Sequence, residues 1–149
     1  MKQKLKIYLK SKGLKSTRQR ELILDVFMSN SSHITPEELH RKVSLQSSDI
    51  GVATVYRTLK LFVQASIAAE RRFGDNVTRY EPRIEGEHHD HMICTVCGHI
   101  YEFEDQTIEQ RQIDVAEQLG MVITSHRLEL YGYCKDTDNC TIKTAKLNQ

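Results

Sequence analysis

Between Glu85 and Glu104 the chain reads EGEHHDHMICTVCGHIYEFE, which places His88, His89, Asp90, His91, Cys94, Cys97 and His99 within twelve residues. These side chains are the protein donors for transition metals. Thiolates suit zinc, whereas mixed imidazole and carboxylate sets suit Fe(II), Mn(II), Zn(II) or Co(II), among which donor type does not choose. The spacing suggests more than one site. Cys94 and Cys97 are two residues apart and are followed by Gly98, so a tight turn can aim both sulfurs at one ion. A second pair, Cys134 and Cys140, could close a four-thiolate zinc site with bonds of about 2.3 Å and tie together the ends of a lobe too small for a self-sufficient core. The gap in that second pair is longer than the commonest spacing, so Cys140 is the least secure ligand. A disulfide and a thioredoxin-like redox pair are the alternatives, although a redox CxxC normally opens a helix and this one leads into the strand-like HIYEFE.

In an extended segment, His89 and His91 point to one face while His88 and Asp90 point to the other. That alternation offers two further sites, each needing ligands from elsewhere. The available residues are His33, Glu81, Glu102, Glu109 and His126. In VITSHRLELYGY, His126 shares a strand face with Val122, Leu128 and Leu130, so it reads either as a core histidine or as an inward ligand.

Positioning these groups requires elements on both sides of residue 83. Leu5, Tyr8 and Leu9 lie at helical spacing, with Gly13 as a stop. A second helix begins at Ser16 or Thr17, where Ser16 and Gln19 have capping-box spacing, and carries Leu22, Ile23, Val26 and Phe27. Thr35-Pro36-Glu37-Glu38 is a helix start ahead of Leu39 and Val43. In GVATVYRTLKLF, Val52, Val55, Leu59 and Phe62 or Val63 can face inward, leaving Thr54, Tyr56, Arg57, Thr58 and Lys60 off the stripe. SIAAERRF and VTRYEP, separated by Gly74-Asp75-Asn76, read as a hairpin. Short helices followed by a hairpin are the order of a winged helix-turn-helix, in which the last helix displays Thr54, Tyr56 and Arg57 to base edges and phosphates.

Charge supports that division. The net charge is +1 over 149 residues, but residues 1–83 hold 16 basic and 8 acidic side chains, net +8, whereas residues 84–149 hold 5 and 12, net -7. The first 20 residues contain eight Lys or Arg and no acid, among them Lys15, Arg18 and Arg20. Such asymmetry is the footprint of a half that meets phosphate and a half that gathers cations, with a merely solvated helix face as the alternative for the basic run. No window approaches the ~20 apolar residues of a membrane span, and MKQKLKIYLKSKG lacks the apolar stretch of a signal peptide, so a cytoplasmic location without membrane attachment is expected.

Gly13-Leu14-Lys15, Thr17 with Arg18 and Arg20, His33 before Thr35-Pro36-Glu37, the run from Val52 to Arg57, the HHDHMIC segment, Cys97-Gly98 and Ile100 to Phe103 together resemble the ferric uptake regulator family over roughly residues 13–140. The resemblance implies an α+β chain: an N-terminal winged helix-turn-helix DNA-binding domain over 1–83, then a small α/β dimerisation domain with a structural zinc site over 84–149. It implies a metal-dependent repressor of iron-uptake genes, a homodimer or a tetramer, acting on AT-rich palindromic operators. It places a regulatory site on His33, Glu81, His89, His91 and Glu102, a second site on His88, Asp90, Glu109 and His126, and the structural zinc on Cys94, Cys97, Cys134 and Cys140. Lys15 matches the minor-groove position, and Tyr56 and Arg57 match the major-groove reader and the phosphate contact. Peroxide-sensing members put Asp where this chain has Glu81 and Glu102, which favours an iron sensor, with Fe(II) at the regulatory site and Mn(II), Zn(II) or Co(II) as substitutes. A zinc sensor is disfavoured because the structural site already takes every cysteine. From another class, HHDH also suits a small zinc hydrolase, which would leave the basic half unexplained.

Overall fold

The computed structural model describes residues 1–30, 33–84, 86 and 88–135, and the chain divides into two compact units, Met1–Glu87 and His88–Gln149. The first unit runs α1 (Lys2–Ser11), α2 (Arg18–Met28), α3 (Pro36–Ser44), α4 (Val52–Gln64), β1 (Ala68–Arg72) and β2 (Thr78–Pro82). The second runs β3 (Asp90–Cys94), β4 (Ile100–Phe103), α5 (Gln106–Gln118) and β5 (Glu129–Gly132).

Helices α2 and α3 start where their side-chain caps dictate. Thr35 accepts from the Glu38 backbone N–H while the Glu38 carboxylate accepts from the Thr35 N–H, a full capping box with Pro36 at the first helical position. The box expected from Ser16 and Gln19 does not form. Thr17 caps α2 by accepting from the Arg20 N–H at 3.3 Å, which moves the start one residue on and leaves the Ser16 hydroxyl to donate to Glu21. In α4 the inward stripe is Val55, Thr58, Leu59 and Phe62. Val52, expected inside, is 41% exposed, and Thr58, expected outside, is 3% exposed. Thr58 lies three residues after Val55 and four before Phe62, on the buried arc, while Val52 stands in the exposed first turn beside the Gly51 cap.

These stripes converge on one core that includes Leu5, Leu9, Ile23, Phe27, Leu39, Val43, Leu59, Phe62 and Tyr80. The expected hairpin is present, with β1 and β2 antiparallel and Ala69 opposite Glu81. Its turn holds Asn76 at φ 59°, a left-handed conformation that Asn tolerates. Ile34 then adds to the hairpin through an antiparallel bridge to Tyr80, with reciprocal N–H to O distances of 2.9 and 2.8 Å. This long-range pairing sets His33 beside Glu81.

In the second unit β3 is the middle strand of the order β4-β3-β5, antiparallel to β4 and parallel to β5. Among its described residues the buried apolar side chains are Ile93 and Cys94 alone, too little to stabilise a lobe of this size. α5 is capped by Asp105, whose side chain accepts from the N–H groups of Thr107 and Ile108, yet it buries none of its residues. The strand pattern expected around His126 is absent: β5 begins at Glu129, and Val122 is 88% exposed. That segment lacks a ladder partner before residue 128, so period-two alternation has no sheet face to define there. No described helix is long and apolar enough to cross a membrane.

Candidate metal centres and nucleic-acid surface

The cysteine centre follows from strand pairing. β3 ends at Cys94, and a turn through Gly98, at φ 72°, returns the chain into β4, with the Gly98 N–H donating to the Cys94 carbonyl and the Cys94 N–H to that of His99. Parallel pairing of Cys94 with Gly132 then delivers Cys134 to the same end of the sheet. The sulfurs of Cys94, Cys97 and Cys134 lie within 4.8 Å of one another, with Cys97 and Cys134 3.9 Å apart, and no disulfide joins the three. Backbone N–H groups of Cys97, then Val96 and Cys134, lower the Cys94 thiol to about 6, so it is largely thiolate at neutral pH. Three sulfurs converging on one point, rather than two in bonding contact, suit a soft cation. Cys140 lies outside the described residues.

A second cluster joins His88, Asp90, Glu109 and His126. Asp90 comes from the first position of β3, Glu109 from the first turn of α5, and the histidines from the segments before β3 and β5. His126 Nε2 lies 3.3 Å from a Glu109 oxygen and 3.6 Å from Asp90 Oδ1, while His88 approaches the same two oxygens at 3.9 and 3.8 Å. None of these approaches has hydrogen-bond geometry. Both Asp90 oxygens, Glu109 Oε1 and His126 Nε2 are buried without a hydrogen-bond partner. A buried carboxylate left so costs several kcal/mol unless a cation compensates it, roughly 1–3 kcal/mol for the unmade bond alone. Two carboxylate oxygens and two imidazole nitrogens aimed at one point fit a divalent ion of borderline hardness. His126 thus joins a group that could hold an ion, although the strand face expected for it is absent.

The residues named for a regulatory site occupy both units. In the first, His33 Nε2 lies 2.5 Å from Glu81 Oε2, and the His33 ring meets Phe73 edge-on at 5.0 Å. Arg71 Nε donates to the other Glu81 oxygen at 2.8 Å. Arg71 was not singled out in the sequence; its cue is the hairpin register, which makes it the diagonal neighbour of Glu81 on one face. In the second unit the His89 and His91 rings stand 5.1 Å apart at 79°, and Glu102 is the β4 residue opposite His91. His99 is exposed, meets the Tyr101 ring edge-on at 4.3 Å and joins no ligand cluster among the described residues.

On the basic unit, Lys15, Arg18, Tyr56 and Arg57 are exposed. Arg20 is half-buried and donates to the Lys15 carbonyl at 2.5 Å, so it shapes the α1–α2 loop that presents Lys15. Thr54 accepts a long bond from Arg57 at 3.5 Å on the outer face of α4. The Tyr56 hydroxyl donates to Glu37 of α3 at 2.5 Å, a contact that periodicity along one helix does not reveal.

The family model that matches is the ferric uptake regulator family, over residues 11–131. The ferric uptake regulation protein of Campylobacter jejuni is 40% identical over 139 residues, covering 92% of this chain and 88% of that protein. The solved Helicobacter pylori ferric uptake regulator, described as having three functional metal binding sites, superposes with a TM-score of 0.85 at 31% identity, covering 92% and 91% of the two chains. The Francisella tularensis regulator with iron gives 0.73 at 37% identity, covering 83% of this chain and 93% of that one.

Proposed function

The chain belongs to the ferric uptake regulator family, and from that premise we propose that it is an Fe(II)-responsive repressor of iron-uptake genes. Its established class is the metal-responsive DNA-binding transcriptional regulator, which is not an enzyme, and the hydrolase reading is withdrawn. The observation that carries the finer reading is the pairing of ligand halves: His33 with Glu81 in the basic unit, and His89 with His91 opposite Glu102 in the acidic one.

In this reading all five side chains serve one regulatory ion, an assignment that rests on the family. The divalent ion supplies the positive charge on which the donors converge. His33 and Glu81 tie the recognition unit, and His89, His91 and Glu102 tie the sheet unit. With both halves engaged, one arrangement of the units is favoured, and the two α4 helices of a homodimer match major grooves about 34 Å apart. The leverage cannot exceed the differential affinity of the ligands for the two arrangements, so the metal-free protein binds DNA weakly rather than not at all. Cys94, Cys97, Cys134 and Cys140 hold a structural Zn(II), while His88, Asp90, Glu109 and His126 hold a second ion. Glu at both 81 and 102, where peroxide-sensing members carry Asp, supports iron sensing over peroxide sensing. Lys15, Arg18 and Arg57 meet phosphate or the minor groove, Arg20 supports Lys15, and Thr54 and Tyr56 meet base edges of an AT-rich palindrome in the cytoplasm.

The test is a titration against AT-rich duplex with Fe(II), with Mn(II) and with chelator, at two salt concentrations. Metal should raise affinity at both, and affinity should fall steeply with salt in every arm. Equal retention with metal and with chelator would sink the switch. A peroxide sensor would instead lose its iron-dependent binding after brief peroxide treatment.

A further inference from the structure

Glu37 is an acid that its own helix favours and the surface it faces disfavours. It sits exposed in the first turn of α3, near Arg41 on the same helix and on the side of the unit where α4 displays Tyr56, Arg57 and Lys60. A carboxylate on a surface that meets phosphate lowers affinity for every duplex, whatever its sequence. The helix N-terminus accounts for an acid in this turn, as it does for Glu38, but not for its partner: Glu37 Oε1 accepts the Tyr56 hydroxyl at 2.5 Å. That bond is charge-assisted and at the short end of its class. It joins two helices, so the atom of Tyr56 farthest from its own backbone is fixed from α3, and the ring stands in one orientation before DNA arrives.

We infer that Glu37 is the positioning residue of the base-reading tyrosine, holding the Tyr56 ring in the orientation that distinguishes operator from random DNA. Electrostatics on both sides favours the bond: Tyr56 lowers the Glu37 carboxyl, and Glu37 raises the Tyr56 hydroxyl, so at neutral pH the acceptor is ionised and the donor keeps its proton. A ring already oriented loses little freedom on meeting its base step, whereas a free ring must be immobilised. The proposal rests on Tyr56 being a base reader, and its test separates the two ideas.

The full-length protein with its metals is measured against two duplexes under Mn(II): one enriched by the wild type from random-sequence DNA, and one scrambled at the same composition. Glu37→Gln keeps an acceptor and loses the charge, so both affinities should rise by similar factors and their ratio should hold. Glu37→Ala loses charge and acceptor, so the scrambled duplex gains as with Gln while the ratio falls about three- to tenfold, the range for immobilising one interfacial side chain. Tyr56→Phe should lower the ratio as much as Glu37→Ala, and the double variant no further. A ratio unchanged in Glu37→Ala, or additive losses in the double variant, would overturn the proposal. Tyr56→Ala identifies the cause: if it too keeps the ratio, the base-reader reading has failed, and if it alone lowers the ratio, the positioning role has.

Discussion

At the scale of single residues, Asp90 carries the clearest consequence. Its two oxygens are buried without a hydrogen-bond partner and face His88, His126 and Glu109, another acid. Without a cation that arrangement is destabilising, and with one it becomes a ligand set. Asp90→Asn should therefore raise the melting temperature in the absence of added divalent ion and remove this one site's share of the stabilisation that Mn(II) or Co(II) gives the parent, about 2.7 kcal/mol at a hundredfold excess over its Kd, while the share of the His33, Glu81, His89, His91 and Glu102 donors remains. A thermal scan with and without ion reads both effects. A variant that melts lower without ion, yet is stabilised by it as much as the parent, would show Asp90 to be an ordinary packing residue. Cys94 belongs to a different balance. The acidic unit has almost no apolar core among its described residues, so Cys94→Ser should lose its zinc and much of its sheet signal together, measured by metal analysis and circular dichroism. Retained zinc with an intact sheet would remove Cys94 from the structural site.

At the scale of elements, α4 has two faces with separate duties. Its buried arc joins α2 and α3 to the hairpin, and its outer face carries Thr54, Tyr56 and Arg57. Leu59, fully buried on that arc, should cost about 2–5 kcal/mol when replaced by Ala, lowering the urea midpoint of the basic unit without altering the transition slope. DNA affinity of the fraction that remains folded should change little, because Leu59 does not reach the outer face. β3 divides its faces in the same way. Even-numbered His88, Asp90 and Cys94 enter the second cluster and the thiol centre, while odd-numbered His89 and His91 stand together on the other side. β3 and the two residues before it thus feed three ligand groups: alternation separates the faces, and distance along the strand separates Asp90 from Cys94. The alternation was legible from spacing; the partners Glu109 and His126 were named by the family resemblance and not by spacing, since they reach β3 through α5 and the segment before β5.

At the scale of the whole molecule, α5 and the segment after it leave apolar side chains in solvent. Val115 is 42% exposed, Leu119 70%, Met121 65% and Val122 88%, a contiguous stretch that suits a second copy of the chain better than water. Leu119→Glu should shift the protein from dimer to monomer in sedimentation while zinc content stays unchanged. It should also lower operator affinity steeply, because a monomer meets one half-site. A variant that sediments as the parent would place the dimer interface elsewhere.

The opposite charges of the two halves, the helix start at Thr35, the hairpin and the alternating ligand run are local or additive properties, and sequence alone determined them. It also carried the family motif, because ATVYR and HHDHMIC with CxxCG are contiguous. Tertiary structure decided which distant groups meet. The Ile34–Tyr80 bridge brings His33 to Glu81, parallel pairing with β5 brings Cys134 to Cys94, and helix packing brings Glu37 to Tyr56. It also corrected the phase of α4 at Val52 and Thr58 and removed the strand face drawn around His126. The physical reason is that periodicity assigns a side chain to a face of its own element, whereas register and packing between elements, set by closure of long loops around a shared core, assign its neighbour.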